Sequence, residues 1–295
     1  MNKKINNRQK SLLNLLQLFG GELNKTDCQK LMFLFCNVYG KTLYSFFPYR
    51  FGSFSYILNQ DKSKLREQGF LRDTPGYSVT EFYNSRNDLK CIDYSDLIDF
   101  AFNFSNIRGE NLINYVYNEF PYFASNSEIK DHYLSKNMSG FEYCDTIENE
   151  PCLLSLGYEG LSIDEFLNKL NFHKIKIVID VRKKPVSRKY GFSKNKLEKY
   201  LSRINIAYHH FPNLGVSKEI REKLGKSLNY VEFFHRYKTE VLKFNQADIK
   251  DIVSLSKSYS RMAIMCFEKN YKKCHRYELL QSISKLDKSI IIKNI

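Results

Sequence analysis

Four short polar blocks in the second half of this 295-residue chain carry the residue types that chemistry needs. The first is Gly157-Tyr158-Glu159-Gly160, and the second is Asp180-Val181-Arg182 followed by Pro185-Val186-Ser187-Arg188-Lys189. The third is His209-His210-Phe211-Pro212-Asn213-Leu214-Gly215. The fourth is Cys266-Phe267-Glu268-Lys269, with Cys274-His275-Arg276 a few residues on. The carboxylates of Asp180, Glu159 and Glu268 and the imidazole of His275 are candidate general acids and bases. Arg182, Arg188 and Arg276 can each grip a phosphate through two parallel N–H bonds, while Lys189 adds only a point charge. Arg276 opens a predicted helix, where the positive end of the helix dipole also suits an anion. Tyr158 offers a ring for stacking on a base or sugar, and Cys266 is a possible nucleophile.

Each of these residues has a plainer reading. A carboxylate ending a buried run is costly unless paired, so Asp180 is either a working base or the partner of Arg182 or Arg276. Glu268 sits two residues from Cys266, and a nearby carboxylate raises a thiol's pKa, which favours a structural cysteine over an activated one. His275 fits a structural hydrogen bond nearly as well as proton transfer. Cys266, Cys274 and His275 also raise the question of a metal, but structural zinc sites normally show two close ligand pairs. If Cys274 and His275 both lie on a helix, their side chains diverge by about 100° and can hardly share one ion. The sequence therefore predicts neither metal nor cofactor.

The blocks are positioned by the elements before them. Leu153–Leu156, Ile175–Asp180, Ile206–His210 and Met262–Cys266 read as strands. Helical patterns follow at Ser162–Leu170, with Ser162 as cap, and at Lys194–Ile204, Val231–Leu242 and Cys274–Ser284. Alternating β and α segments call for a parallel sheet with helices on both faces. In such sheets ligands bind beyond the carboxyl ends of the strands, which is where all four blocks fall.

The first half reads differently. Gln9–Phe19 is an amphipathic helix ended by Gly20-Gly21, and Asp27–Tyr39 is a second, with Thr26 as the expected cap. Phe54–Gln68 is a third helix, and Phe70–Arg72 with Tyr77–Thr80 forms a hairpin around Asp73-Thr74-Pro75-Gly76. Three helices and a hairpin is the winged helix-turn-helix order. Residues 95–135 turn helical again, with a break at Pro121. The acidic stretch Glu142–Pro151 is the candidate linker, which divides the chain into domains 1–145 and 151–295.

Charge separates the halves more sharply than any motif. Residues 1–150 carry 17 Lys/Arg against 18 Asp/Glu, and residues 151–295 carry 29 against 14. Arg182 to Arg203 alone holds nine basic residues and one acid, Glu198. A lysine-rich solvated face explains this as well as nucleic acid or a phosphate-bearing nucleotide does. The aromatic content of 15%, all Phe and Tyr, is explained mainly by core packing. No apolar run approaches a membrane span or a signal-peptide core, and seven scattered cysteines form no disulfide framework. Cys28 and Cys36 fall in an apolar helical pattern, where a thiol acts as a small hydrophobe. A cytoplasmic protein is expected. There is no Walker A motif, no Gly-x-Gly-x-x-Gly fingerprint and no Gly-x-Ser-x-Gly elbow, which argues against common nucleotide hydrolases, dinucleotide oxidoreductases and α/β-hydrolases.

In order and spacing, Gly157–Gly160, Asp180–Arg182 with Pro185–Arg188, Pro212–Gly215, and Cys266–Lys269 with Cys274–Arg276 closely resemble the domain-of-unknown-function family 488, over about residues 152–285. The resemblance implies a compact α/β domain, sometimes appended to winged-helix modules, with suspected nucleic-acid-linked roles. In the first half, Pro48 to Ser55 leading to Leu65-Arg66-Glu67-Gln68-Gly69-Phe70-Leu71 resembles winged-helix-like domains of the Panacea type, which implies protein contacts or a dimer contact instead of DNA binding, and the near-neutral charge of this half agrees with that. Asp180-Val181-Arg182 and the placement of Cys266 also resemble rhodanese-like sulfurtransferases, although Phe267-Glu268-Lys269 is no glycine-containing anion loop. The expected fold is thus a three-layer parallel-sheet α/β domain, Rossmann-like or rhodanese-like, behind a mostly helical winged-helix-like one. The leading expectation is an enzyme acting on nucleic acid or nucleotide at a base or glycosidic bond. A non-enzymatic nucleotide sensor or adaptor and a sulfurtransferase using Cys266 are the alternatives.

Overall fold

The computed structural model describes residues 5–74, 76–84, 90–133, 151–217, 219–220 and 229–295. The chain divides into two compact units, Met1–Tyr143 and Cys144–Ile295. The expected linker, up to residue 150, lies outside the described residues. No helix among the described residues is long and apolar enough to cross a membrane.

The first unit opens with α1 (Asn7–Leu18), β1 (Glu22–Leu23) and α2 (Lys25–Val38), then the hairpin β2 (Phe47–Tyr49) and β3 (Gly52–Phe54). Helix α3 (Tyr56–Glu67) and the hairpin β4 (Leu71–Asp73) and β5 (Tyr77–Val79) follow, then α4 (Glu81–Asn84), α5 (Tyr94–Phe104), α6 (Gly109–Glu119) and α7 (Lys130–Tyr133). Strand β1 pairs with β5, completing a three-stranded sheet in the order β1-β5-β4. The cap of α2 is Asn24 and not Thr26: the Asn24 side chain accepts the Asp27 amide at 2.7 Å, and Thr26 falls inside the first turn. Asparagine is at least as good a cap as threonine, which is why the start moves. The β2–β3 hairpin was hidden by Pro48, whose missing N–H is harmless in a two-stranded ribbon. It displaces the start of α3 from Phe54 to Tyr56, behind a Ser55 cap.

Among the described residues this unit buries two lysines, Lys30 and Lys62. The Lys30 ammonium donates to the Phe51 carbonyl at 2.7 Å and lies over the Tyr117 ring. Burial lowers its pKa from the ordinary 10.5 to about 7, against the weaker pull of Asp27. Between those values the unfolded chain binds a proton that the folded chain does not, so Lys30 makes stability rise with pH across that window. We expect the wild type to gain on Lys30→Met, in urea midpoint, as pH goes from about 7 towards 10.5. A difference flat in pH would refute a buried, deprotonating Lys30.

The second unit runs β6 (Cys152–Gly157), α8 (Ile163–Phe172), β7 (Ile177–Asp180), α9 (Lys194–Ser202) and β8 (Ala207–His210). It continues with α10 (Tyr230–Arg236), α11 (Gln246–Leu255), β9 (Arg261–Cys266), α12 (Arg276–Leu286) and β10 (Ile291–Asn294). All five strands are parallel, in the order β10-β6-β9-β7-β8, so this is an α/β unit as expected. Ser162 caps α8 in a reciprocal capping box with Glu165. The inner strands β6, β7 and β9 are buried along their whole length, the pattern of a sheet covered on both faces. Leu153, Ile179, Met262 and Ile264 pack in one core with Ile249 and Ile252 of α11 and Leu279 and Ile283 of α12. The single helix expected over Val231–Leu242 is instead α10, a π turn at Tyr237–Val241 and a 3-10 turn. The helix expected from Cys274 begins at Arg276.

Candidate functional site at the carboxyl ends of the strands

Asp180, the last residue of β7, is fully buried and its two oxygens are heavily engaged. They accept from the Arg182 side chain at Nε (2.9 and 3.1 Å) and Nη2 (2.6 Å), from the Arg182 amide (3.0 Å) and from the Tyr208 hydroxyl (2.7 Å). Arg182 turns its remaining terminal nitrogen to the Tyr158 hydroxyl (3.0 Å) and the Phe192 carbonyl (2.8 Å). Burial alone would lower the Arg182 pKa, but the Asp180 hydrogen bonds and charge outweigh it and hold the guanidinium cationic. Burial, then the Asp180 charge, raises the Tyr208 hydroxyl. Of the two partners open to Asp180 in the sequence, the structure takes Arg182. The Tyr158 ring stacks on Phe192 at 4.2 Å and 11°, with Phe267 edge-on at 5.4 Å, so its stacking surface is used internally.

An open cavity of about 430 Å³ lies beyond these strand ends. Lys183, Lys184 and Arg188 line it and are exposed, whereas Cys266, also lining it, is buried; cations therefore stand at the mouth and a thiol at the floor. Val186 (82% exposed) and Phe267 (45%) add apolar surface. Lys189 is turned to the Tyr158 carbonyl at 3.2 Å. Glu159 is exposed and accepts the Lys269 amide at 2.9 Å, tying the loop after β6 to the loop after β9. Two glycines let backbones meet here. A Cβ on Gly157 would lie 1.9 Å from the Glu268 carbonyl oxygen, and one on Gly215 would lie 2.1 Å from the Lys183 nitrogen.

The fourth block gathers below the floor. Cys266 and Cys274 both direct Sγ at Glu268 Oε2, at 3.2 and 3.1 Å, and both lie near His275 Nδ1, at 3.8 and 3.7 Å. The other ring nitrogen, Nε2, contacts the Val181 carbonyl at 3.2 Å, and Tyr237 packs against the imidazole. The divergence of Cys274 and His275 expected from a shared helix is corrected. Cys274 is extended and ends a 3-10 turn at Tyr271–Lys273, so the two side chains converge. The Arg276 guanidinium is fully buried and donates Nη2 to the Glu268 carbonyl at 2.6 Å, while its Nε and Nη1 have no hydrogen-bond partner. The Cys274 hydrogen bond and burial raise the Cys266 thiol well above its ordinary value. For Cys274 burial acts the same way, but the Cys266 hydrogen bond and the His275 and Arg276 charges overcome it and lower its pKa. Burial raises Glu268, and His275 is raised by Cys274 and Glu268 in spite of its burial.

The expected site residues thus fall into two neighbouring groups. Tyr158, Asp180, Arg182 and Lys189 form one, and Cys266, Glu268, His275 and Arg276 the other, with Arg188 on the cavity wall and Glu159 bracing a loop. Sequence reasoning passed over Lys183, Lys184 and Tyr208, and weighed Cys274 only as a metal ligand. The lysines were visible in the basic run, whereas Tyr208 had no signal until β8 was known to lie beside β7.

Residues 162–283 match the model of the family described as domain of unknown function DUF488. The match leaves out the Gly157–Gly160 block, which the resemblance had included. No curated protein and no solved structure matches the chain.

Proposed function

We propose, for a second unit that carries a DUF488 domain, that it binds a nucleotide or nucleic acid by its phosphates and acts on it as an enzyme. The observation that carries this reading is the cavity beyond the strand ends, with Lys183, Lys184 and Arg188 exposed around it. Three cations converging at the ligand-binding rim of a parallel sheet suit a phosphate-bearing ligand. Exposed Phe267 and Val186 suit the face of a base or sugar. Arg182, held by Asp180, shapes the wall, and the gripping falls to the exposed cations. With phosphate at the mouth, the sugar and base point inward to the buried thiol, carboxylate and imidazole groups. That placement favours action at a base or glycosidic bond over a purely sensory role. Sulfur transfer on Cys266 has less support, because its thiol is raised and not lowered.

The test is binding of the full chain to a single-stranded oligonucleotide across a salt series. The triple variant Lys183→Glu/Lys184→Glu/Arg188→Glu should lose at least about tenfold in affinity. Its slope of log K against log salt should flatten by roughly 2, at about 0.7 for each phosphate no longer neutralised. Lys250→Glu/Lys257→Glu/Lys285→Glu makes the same charge change at exposed positions on other elements and should keep most of the affinity. Equal losses in the two triples would mean a diffuse charge effect and overturn the site.

A further inference from the structure

We propose that Cys266, Glu268, Cys274 and His275 bind one divalent metal ion, with zinc the chemical fit. The inference rests on the geometry of this cluster and stands apart from the phosphate reading. One ligand atom from each of the four residues lies within 4.8 Å of all the others. Metal–ligand bonds of about 2.0–2.3 Å in a tetrahedron put neighbouring ligand atoms about 3.3–3.8 Å apart. The four sulfur–oxygen and sulfur–nitrogen separations here are 3.1, 3.2, 3.7 and 3.8 Å, within a few tenths of an ångström of those values, and the other two pairs lie within 4.8 Å. Two thiolates, an imidazole and a carboxylate form a donor set that selects zinc among common divalent ions.

Two further observations point to a ligand. A backbone carbonyl can only accept, so the His275 nitrogen facing the Val181 oxygen carries the proton. In the neutral ring this leaves Nδ1 with a lone pair directed at the two sulfurs. A histidine held by a carbonyl through one nitrogen and presenting the other is the usual arrangement of a metal ligand. The second observation is Arg276, fully buried with two guanidinium nitrogens lacking any hydrogen-bond partner. A buried cation needs a compensating anion. Two thiolates, one carboxylate, a neutral imidazole and a divalent ion sum to one negative charge, which Arg276 balances.

The experiment is metal analysis of the purified full chain, followed by metal removal and titration with Co(II) and with Zn(II). We expect one equivalent of zinc, and Co(II) spectra with the strong visible bands of tetrahedral coordination and a sulfur-to-metal charge-transfer band. Cys274→Ser and His275→Gln should each weaken Co(II) binding by more than the roughly 10–100-fold that outer-shell partners cost. Glu268→Gln serves as the variant least able to disturb folding, and should weaken binding and change the Co(II) spectrum while circular dichroism stays native. A folded wild type that gives no thiolate–Co(II) band overturns the proposal. So does a Cys266–Cys274 disulfide as the resting state, or a metal content untouched by Cys274→Ser and Glu268→Gln.

Discussion

Asp180→Asn should melt the second unit roughly 10–15 °C below the wild type, the shift that about 3–5 kcal/mol produces in a unit of about 150 residues. Breaking a buried ion pair from one side leaves the other charge uncompensated, and here that charge is the guanidinium of Arg182. Asparagine keeps the shape of aspartate but can neither balance Arg182 nor accept all the bonds that converge on the two carboxylate oxygens. Arg182→Lys should cost a large part of the same amount, because an ammonium cannot reach Asp180, Tyr158 and Phe192 together as the planar fork does. Tyr208→Phe removes one hydrogen bond to Asp180 and should cost only about 1 kcal/mol. Differential scanning calorimetry on the three variants tests this ordering. An Asp180→Asn protein as stable as the wild type but inactive would instead make Asp180 a working carboxylate in the reaction.

Gly157→Ala is expected to be strongly destabilising, costing at least the upper end of the ~1–3 kcal/mol seen for overpacking. The added carbon would sit 1.9 Å from the Glu268 carbonyl oxygen, and that atom belongs to backbone already fixed by Arg276. Either β6 or the Glu268 loop must move, and the residues next to each, Tyr158 and Phe267, line the cavity. Gly160→Ala, three residues on, is the contrast: nothing lies within 4 Å of its Cβ. Its φ of +81° still costs alanine about 1–2 kcal/mol, from backbone conformation alone. Urea unfolding should separate the two, with oligonucleotide affinity falling in Gly157→Ala and holding in Gly160→Ala. Equal effects would mean that the loop yields easily.

The fold of the second unit was readable wherever apolar runs were short and bounded by polar residues, which is why β6, β7, β8 and β9 appear close to their expected limits. Two elements escaped. Helix α11 buries only Ile249 and Ile252, a stripe too narrow to stand out, and β10 is an edge strand with half-exposed residues and no alternation. That the candidate residues converge beyond the strand ends was legible, because the loops that follow parallel strands share one edge of the sheet. Their partnerships with one another were not. Whether Asp180 meets Arg182 or Arg276 depends on loop paths that no pattern encodes. Whether Cys274 and His275 diverge or converge depended on a helix start two residues from where periodicity placed it, and terminal turns are the least determined part of any helix.

The strand order has a consequence for synthesis. Strands β6 and β7 are consecutive in sequence but never touch, because β9 inserts between them with partners about a hundred residues away from β6. A nascent chain that has emerged only as far as β8 can pair β7 with β8, but β6 is left with both edges open. Open, apolar strand edges invite pairing with other chains. The second unit therefore has to close late and all at once, when Arg261–Cys266 arrives to join the two halves of the sheet. The same strand brings Cys266, so the floor of the cavity and the centre of the sheet come into being in one event.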